Sequence, residues 1–183
     1  MDIEKLKFPI GNYKKPEIIS SSAVTNWISE IEQFPNRIKS ITAELSIEQL
    51  HWNYRPEGWS IKQVVHHCAD SHMNSFIRFK LALTEDSPTI KPYEEAKWAE
   101  LIDGLDTNID ASLSIIENVH YKWILVLKSL DKMQLSKNFM HPQTKQMYQL
   151  DEVIGLYAWH CNHHLAHIEQ AILYKGQFKL VKL

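Results

Sequence analysis

The sequence predicts an all-α protein, and more narrowly a four-helix bundle. Four long segments have apolar residues at intervals close to 3.6, the period of an α-helix. The chain has only five glycines and seven prolines, which is few for an all-β protein with many tight turns. No series of segments alternates apolar and polar residues as the strands of a sheet would. For a chain of 183 residues, 44% of them hydrophobic, we expect one domain over residues 1–183.

The N-terminal part of the chain begins without a helical pattern. Residues 1–15 contain Pro9 and Gly11 and show no apolar period, which predicts an extended lead-in that packs on the surface. The first helix is expected between Pro16 and Leu45, where apolar residues recur with the helical period. Pro35 interrupts this run, and because proline removes one amide hydrogen bond, we expect a kink or two separate pieces.

Three further long helices follow. The second begins at Ser60, where Gln63 completes a capping-box pattern, and ends near Leu83. The third is expected at residues 111–130 and the fourth at residues 151–175. The connections are expected to contain a short helix at 93–101 and a short extended hairpin or loop at 139–150.

Composition excludes several classes of function. The formal net charge is −2, so the chain has no basic footprint for nucleic acid. No apolar run reaches the ~18 residues of a membrane span, and the N-terminus lacks the features of a secretory signal. Cys68 and Cys161 are too few for a disulfide framework. We therefore expect a cytoplasmic protein.

Histidines are concentrated in two short stretches. Of the ten in the chain, His160, His163, His164 and His167 lie on the fourth predicted helix, and His66, His67 and His72 lie on the second. Histidine is the commonest metal ligand and the usual acid or base near neutral pH. Isolated histidines such as His120 are expected to be ordinary core or surface residues.

On the fourth helix, an advance of about 100° per residue separates two pairs with i,i+4 spacing. His160 and His164 lie at the edge of the apolar face, whereas His163 and His167 point further towards solvent. Two imidazoles one turn apart can chelate one ion. The first pair is therefore the better ligand pair, and the second is expected at the surface, behind the ligands or beside a substrate.

On the second helix, two histidines compete for the place of a third ligand. His67 lies beside the apolar face in a polar stripe with Ser71, Asn74 and Arg78, which describes the wall of a wet cavity. His72 falls inside the apolar face, and His66 points away from it. The stripe favours His67 without excluding His72.

Three imidazoles would leave one metal position open, as in catalytic zinc sites. Imidazole ligation suits zinc, nickel, copper or iron, so the ligand type does not name the metal.

Three other residues are weaker candidates for a role in catalysis. Asp70 could orient a ligand imidazole through its second nitrogen, and Glu57 and Tyr54 could serve as base or proton donor.

Several long motifs resemble those of a known family. They are Phe8-Pro-Ile-Gly11, Tyr54-Arg-Pro-Glu-Gly-Trp-Ser60, Val64-Val-His-His-Cys-Ala-Asp-Ser-His-Met-Asn74 and Tyr157-Ala-Trp-His-Cys-Asn-His-His-Leu-Ala-His-Ile168. The chain resembles the DinB/YfiT-like superfamily over essentially its whole length, and the YfiT branch in particular. Cys161 departs from the pattern, since the branch usually has glycine there.

The resemblance implies a DinB-type four-helix bundle, a homodimer, and one divalent ion per chain, zinc or nickel, with three histidine ligands. Carried over residue by residue, the ligands fall on His67, His160 and His164, which decides against His72. The branch is commonly described as metal-dependent hydrolases, which implies hydrolysis of a small substrate here. Related proteins transfer low-molecular-weight thiols such as bacillithiol or glutathione to electrophiles. The hypotheses are therefore a hydrolase that activates water, a thiol S-transferase, and a metal-binding dimer without catalysis.

Overall fold

A computed structural model describes residues 2–178 of the chain. It contains eight helices and one two-stranded antiparallel sheet within those residues. In chain order the elements are α1 (Ile3–Lys7), α2 (Ser21–Thr42), α3 (Ile47–Leu50), α4 (Ile61–Thr84), α5 (Glu95–Trp98), α6 (Asp110–Ser129), α7 (Lys132–Leu135), β1 (Asn138–His141), β2 (Gln146–Gln149) and α8 (Leu150–Tyr174).

The four long helices form a bundle, which confirms the predicted fold class. Helix α2 packs against α6 and α8, and helix α4 packs against the same two. Around the bundle the order is therefore α2, α8, α4, α6. Helices α2 and α4 lie at opposite corners, as do α6 and α8, whereas α4 and α6 are neighbours. This arrangement makes α4 and α8, which carry seven of the ten histidines, direct neighbours.

The predicted boundaries of the later helices agree with the structure to within about one residue. The capping box at the start of α4 forms, because the side chain of Gln63 accepts a hydrogen bond from the Ser60 amide. The expected hairpin is also present, with Phe139 opposite Tyr148. No helix among residues 2–178 has the length and apolarity that crossing a membrane requires.

The prediction of a wholly extended lead-in was wrong, since residues 3–7 form helix α1. The side chain of Asp2 caps this helix by accepting a hydrogen bond from the Glu4 amide, and Leu6 is buried against the bundle. The segment that follows runs along α8. Trp159 Nε1 donates to the Gly11 carbonyl at 3.1 Å, and Tyr13 Oη donates to the Glu152 carbonyl at 3.3 Å. The N-terminal segment therefore covers a face of α8.

Of the two expectations at Pro35, the division of the first helix into separate pieces was wrong, because α2 continues through it. Proline has no N–H group, so the carbonyl of Ile31, four residues earlier, has no amide partner in the helix. The ring of His120 on α6 provides a substitute, with Nδ1 2.7 Å from the Ile31 oxygen. A side chain from a neighbouring helix thus satisfies the carbonyl that Pro35 leaves free.

Trp123 on α6 is central to the packing. It is wholly buried, with its ring centroid 5.4 Å from that of Phe79 on α4 and 5.3 Å from that of Tyr157 on α8.

We expect Trp123→Ala to lower the free energy of unfolding by about 3–5 kcal/mol, because truncation leaves a cavity among three helices. Tyr121→Ala on the same helix is the control, since Tyr121 is 70% exposed and its loss should cost less than about 0.5 kcal/mol. Urea unfolding of both variants measures the difference, and equal losses would contradict this packing role.

Candidate metal centre

Three histidines from two helices meet at the contact between α4 and α8. One ring nitrogen from each of His67, His160 and His164 lies within 4.8 Å of the other two. His160 Nε2 is 3.4 Å from His67 Nε2 and 3.2 Å from His164 Nε2. The structure therefore brings together the three residues that the sequence singled out, with their Nε2 atoms facing one another.

The surroundings keep these imidazoles neutral. Burial, and to a smaller extent the neighbouring His163, lower the pKa of His67 from 6.5 to about 4. Burial also lowers the pKa of His160 and His164 well below 6.5, and the neighbouring ring of His67 adds a smaller shift to each. A neutral imidazole has a lone pair to give to a metal, whereas an imidazolium has none. Three neutral nitrogens at these spacings fit a divalent ion.

The cluster opens into a cavity of about 510 Å³. Tyr54 and Glu57, two of the weaker candidates, lie in its wall together with Arg55 and Trp59. Tyr54 is buried and stacks on His167, with ring centroids 3.8 Å apart. Glu57 is exposed at the rim. The position of Tyr54 gives it a packing contact within the site, while Glu57 is open to solvent.

A second cavity, of about 620 Å³, reaches the cluster from the other side of His160. Ser71 and Arg78, from the polar stripe noted in the sequence, lie in its wall beside Tyr157. The hydroxyls of Ser71 and Tyr157 are 3.2 Å apart. His160 lines both cavities, so it separates two spaces from which small molecules could approach.

The expectation that His163 and His167 point towards solvent was wrong, whereas the alternative of a place behind a ligand fits His167, whose Nδ1 lies 3.4 Å from His164 Nδ1. Both are buried, because the N-terminal segment lies over this face of α8. His163 stacks between Trp159, at 4.4 Å, and Phe8, at 5.9 Å between ring centroids. His167 Nε2 lies 3.0 Å from the carbonyl oxygen of Lys7. A helical projection cannot show this cover, since it comes from a segment about 160 residues away.

His66 and His72 make different contacts again. His66 also proves to be buried: its Nε2 lies 3.0 Å from the Asp106 carbonyl oxygen, and its Nδ1 lies 2.7 Å from the Ser112 hydroxyl. His72 is wholly buried behind the cluster, with Nε2 3.1 Å from His160 Nδ1. It therefore contacts the far side of a predicted ligand and does not join the three facing nitrogens.

His120 was overlooked in the sequence as an ordinary residue. It is wholly buried on α6, and its Nε2 is 2.7 Å from His72 Nδ1. Burial lowers the pKa of His120 to about 4, against a smaller rise from the hydrogen bond to Ile31. The only hint of this role in the sequence is Pro35, which leaves the Ile31 carbonyl without an amide partner. That His120 binds this carbonyl depends on the packing of α6 against α2, which the sequence pattern does not show.

The family follows from comparison with known sequences. Residues 30–168 match the model of the DinB superfamily. The chain belongs to the DinB superfamily. Two relatives are "Putative metal-dependent hydrolase YfiT" from Bacillus subtilis strain 168 and a protein from Bacillus cereus strain 03BB102 with the same name except for YfiT. The first relative is 44% identical to this chain, and the match covers 90% of this chain and 93% of the relative. The second is 49% identical, and the match covers 89% of this chain and 93% of the relative.

A solved structure of YfiT from Bacillus subtilis is also similar to this DinB-superfamily chain. It is described as a probable metal-dependent hydrolase with an unusual four-helix bundle topology. The match has a TM-score of 0.91 and 42% identity, and it covers 94% of this chain and 98% of that one. The fold and the resemblance noted in the sequence are thereby confirmed.

Asp70 lies apart from the cluster in this DinB-superfamily fold. Among residues 2–178 its carboxylate makes no hydrogen bond to His67, and it lines neither cavity. Burial and the nearby Asp103 raise its pKa to about 6, although His66 opposes the shift. The structure thus gives Asp70 no contact through which to orient a ligand imidazole.

We expect Asp70→Asn to raise the melting temperature near pH 7 and to lose that advantage near pH 4. A carboxyl whose folded pKa is raised from 3.8 to about 6 disfavours the folded state above pH 6. The penalty disappears as the pH falls through 6 towards 3.8, because the folded state then gains a proton first. Thermal unfolding of both proteins across this range measures the effect. Unchanged zinc affinity is the control, and a large loss of affinity would assign Asp70 the orienting role after all.

Proposed function

We propose that this protein is a hydrolase of small molecules that depends on one divalent metal ion held by His67, His160 and His164. The observation that carries the proposal is the convergence of three neutral imidazole nitrogens at the floor of an open cavity. Names of relatives as metal-dependent hydrolases support the same conclusion. We propose zinc or nickel as the ion, because both accept imidazole ligands.

The donor set supports a catalytic kind of site over a structural one. Three protein ligands leave coordination positions free, whereas structural zinc sites are closed by four. A divalent ion in such a site supplies Lewis-acid chemistry, which lowers the pKa of water and polarises a substrate carbonyl or phosphoryl group. The protein supplies burial and walls of polar and aromatic side chains, and a cavity of about 510 Å³ suits a small substrate.

A second candidate is a metal-dependent thiol S-transferase. The carboxylates that line the metal cavity are Glu57 and Glu95, and both are exposed at its rim. Neither makes a hydrogen bond to the three clustered histidines within the described part of the chain. Hydrolysis commonly uses a positioned general base, whereas a thiol that ionises at the site needs none. The absence of a buried carboxylate base among the residues that line this cavity favours a thiol nucleophile.

The choice of ligands is tested by removing single imidazoles. We expect His160→Ala and His164→Ala to abolish most zinc affinity, because each removes one of three donors. His163→Ala is the matched control on the same helix, since its ring stacks between Trp159 and Phe8 and supplies none of the converging nitrogens. Calorimetric titration of metal-stripped protein with zinc measures all three. An equal loss in the three variants would contradict this choice of ligands.

The nucleophile is tested by titrating metal-stripped protein with bacillithiol and with glutathione, with and without one equivalent of zinc or nickel. Hydrolysis by activated water predicts no thiol binding to the loaded protein. Binding that requires the metal and releases a proton would instead establish the thiol transferase and direct the substrate search to electrophiles. Titration of the His164→Ala variant in the presence of the same zinc or nickel is the control for non-specific binding of thiols, since this variant is expected to hold little metal.

A further inference from the structure

We propose that two chains of hydrogen-bonded histidines hold His160 and His164 in the ring tautomers that metal binding requires. Each chain begins at a backbone carbonyl that its own helix leaves without an amide partner. His120, His72 and His167 are then positioning residues that act through the two ligands. The inference rests on the proposed function only because it takes Nε2 of His160 and Nε2 of His164 as metal ligands.

The first chain starts at the Ile31 carbonyl, which Pro35 leaves free. His120 Nδ1 lies 2.7 Å from this oxygen. A carbonyl oxygen can only accept a hydrogen bond, so Nδ1 of His120 must carry the proton. A neutral imidazole has one N–H group, and the other nitrogen is an acceptor. The Nε2 atom of His120 is therefore an acceptor.

From His120 the order of donors and acceptors passes to the metal cluster. His72 Nδ1 lies 2.7 Å from the His120 acceptor, so it is the donor, and His72 Nε2 is in turn an acceptor. His160 Nδ1, 3.1 Å away, donates to that acceptor. The lone pair of His160 is then on Nε2, which is the atom that faces His67 and His164.

The second chain starts at Lys7, the last residue of α1. A helix leaves its last carbonyls without partners, and the amide of Gly11, four residues on, donates to Phe8 instead. His167 Nε2 lies 3.0 Å from the Lys7 oxygen and must donate to it. His167 Nδ1 is then the acceptor for His164 Nδ1, at 3.4 Å. The lone pair of His164 is again left on Nε2.

The Nε2–H tautomer of His160 is disfavoured by the contact between His120 and the Ile31 carbonyl at the start of the first chain. If His160 carried its proton on Nε2, then His72 and His120 would each have to reverse their donor and acceptor. His120 would then place a nitrogen lone pair 2.7 Å from the lone pairs of the Ile31 oxygen. A buried polar contact without a proton is unfavourable, because both groups lose their hydrogen bond to water. The proposed tautomers also leave the Nε2 lone pairs of His160 and His164 facing each other at 3.2 Å, but these atoms border the cavity of about 510 Å³, from which water can donate to them.

The fixed tautomer matters because a free histidine side chain favours the Nε2–H form, which cannot bind a metal through Nε2. A neutral histidine in water carries its proton mainly on Nε2, the atom that would have to bind the ion here. The nitrogen that binds a metal is set by the hydrogen bond of the other ring nitrogen. His160 and His164 each have such a bond. His163 has none among the described residues, since its buried Nδ1 lacks a partner.

The direct test is the ¹⁵N NMR spectrum of the histidine rings in the metal-free wild-type protein at neutral pH. We expect His160 and His164 to carry the proton on Nδ1, with an unprotonated Nε2. Protonation of Nε2 in these two rings would overturn the proposal. The spectrum needs neither metal nor substrate, so a protein with these tautomers but no hydrolysis would contradict the proposed function and leave the histidine chains standing.

Variants test whether the order of donors and acceptors passes along the first chain from His120 to His160. His120→Phe removes the start of the first chain without touching a ligand, and His72→Phe removes its middle link. We expect both to admit the Nε2–H form of His160 and to weaken zinc binding 10- to 100-fold, the usual effect of losing a partner behind a ligand. His72→Gln keeps one donor and one acceptor, so it should recover much of the affinity. His163→Phe, which keeps the stacking with Trp159, is the control and should change neither tautomer.

Two outcomes would overturn the transmission of order along the first chain. One is a folded His120→Phe protein whose His160 tautomer and zinc affinity both match those of the His163→Phe control. The other is equal zinc affinity for His72→Gln and His72→Phe, since a purely steric role for His72 would not depend on its hydrogen bonds. If a variant does not fold, the wild-type spectrum still decides whether the tautomers are as proposed.

Discussion

The carbonyl of Ile31 is the constraint on which the interior of the bundle depends. Pro35 deprives it of an amide partner, and at a buried position an unpaired carbonyl costs about 1–3 kcal/mol. His120 on α6 supplies the missing donor, His72 on α4 follows, and His160 on α8 completes the series. One run of hydrogen bonds thus crosses all four long helices, from α2 to the cluster of facing nitrogens.

The energetic problem in this interior is the burial of many polar rings without a charge. Among the described residues His72, His120, His164 and His167 are all buried, and burial lowers the pKa of each. Their hydrogen bonds go to other histidines, including His160, or to backbone carbonyls, so no carboxylate is needed to hold them in place. Burial keeps the rings neutral near pH 7, and the lone pairs that stay available to a cation are those on the converging nitrogens of His67, His160 and His164.

The N-terminal segment completes the site from outside the bundle. Helix α1 and the residues after it lie along α8, where Phe8 stacks on His163 and Lys7 accepts from His167. The side chain of Gln170 on α8 donates to the carbonyl of Leu6 in this segment and to that of Tyr54 in the connection before α4, and so ties the two together. A face of α8 that would otherwise contact water therefore becomes one wall of the metal cavity.

The sequence by itself determined the helical class, the bounds of the later long helices, the capping box at Ser60, and the choice of His160 and His164 as a ligand pair. These features depend on residues within a few turns of one another, where the helical period sets direction. The period left His67 and His72 as alternatives for the third ligand, and the resemblance to the YfiT branch chose His67. The tertiary structure decided that His163 and His167 are buried, that α2 passes through Pro35, and that His72 and His120 support His160 from behind. Each of these depends on contacts between distant residues, such as Ile31 with His120 and Lys7 with His167, which no local period encodes.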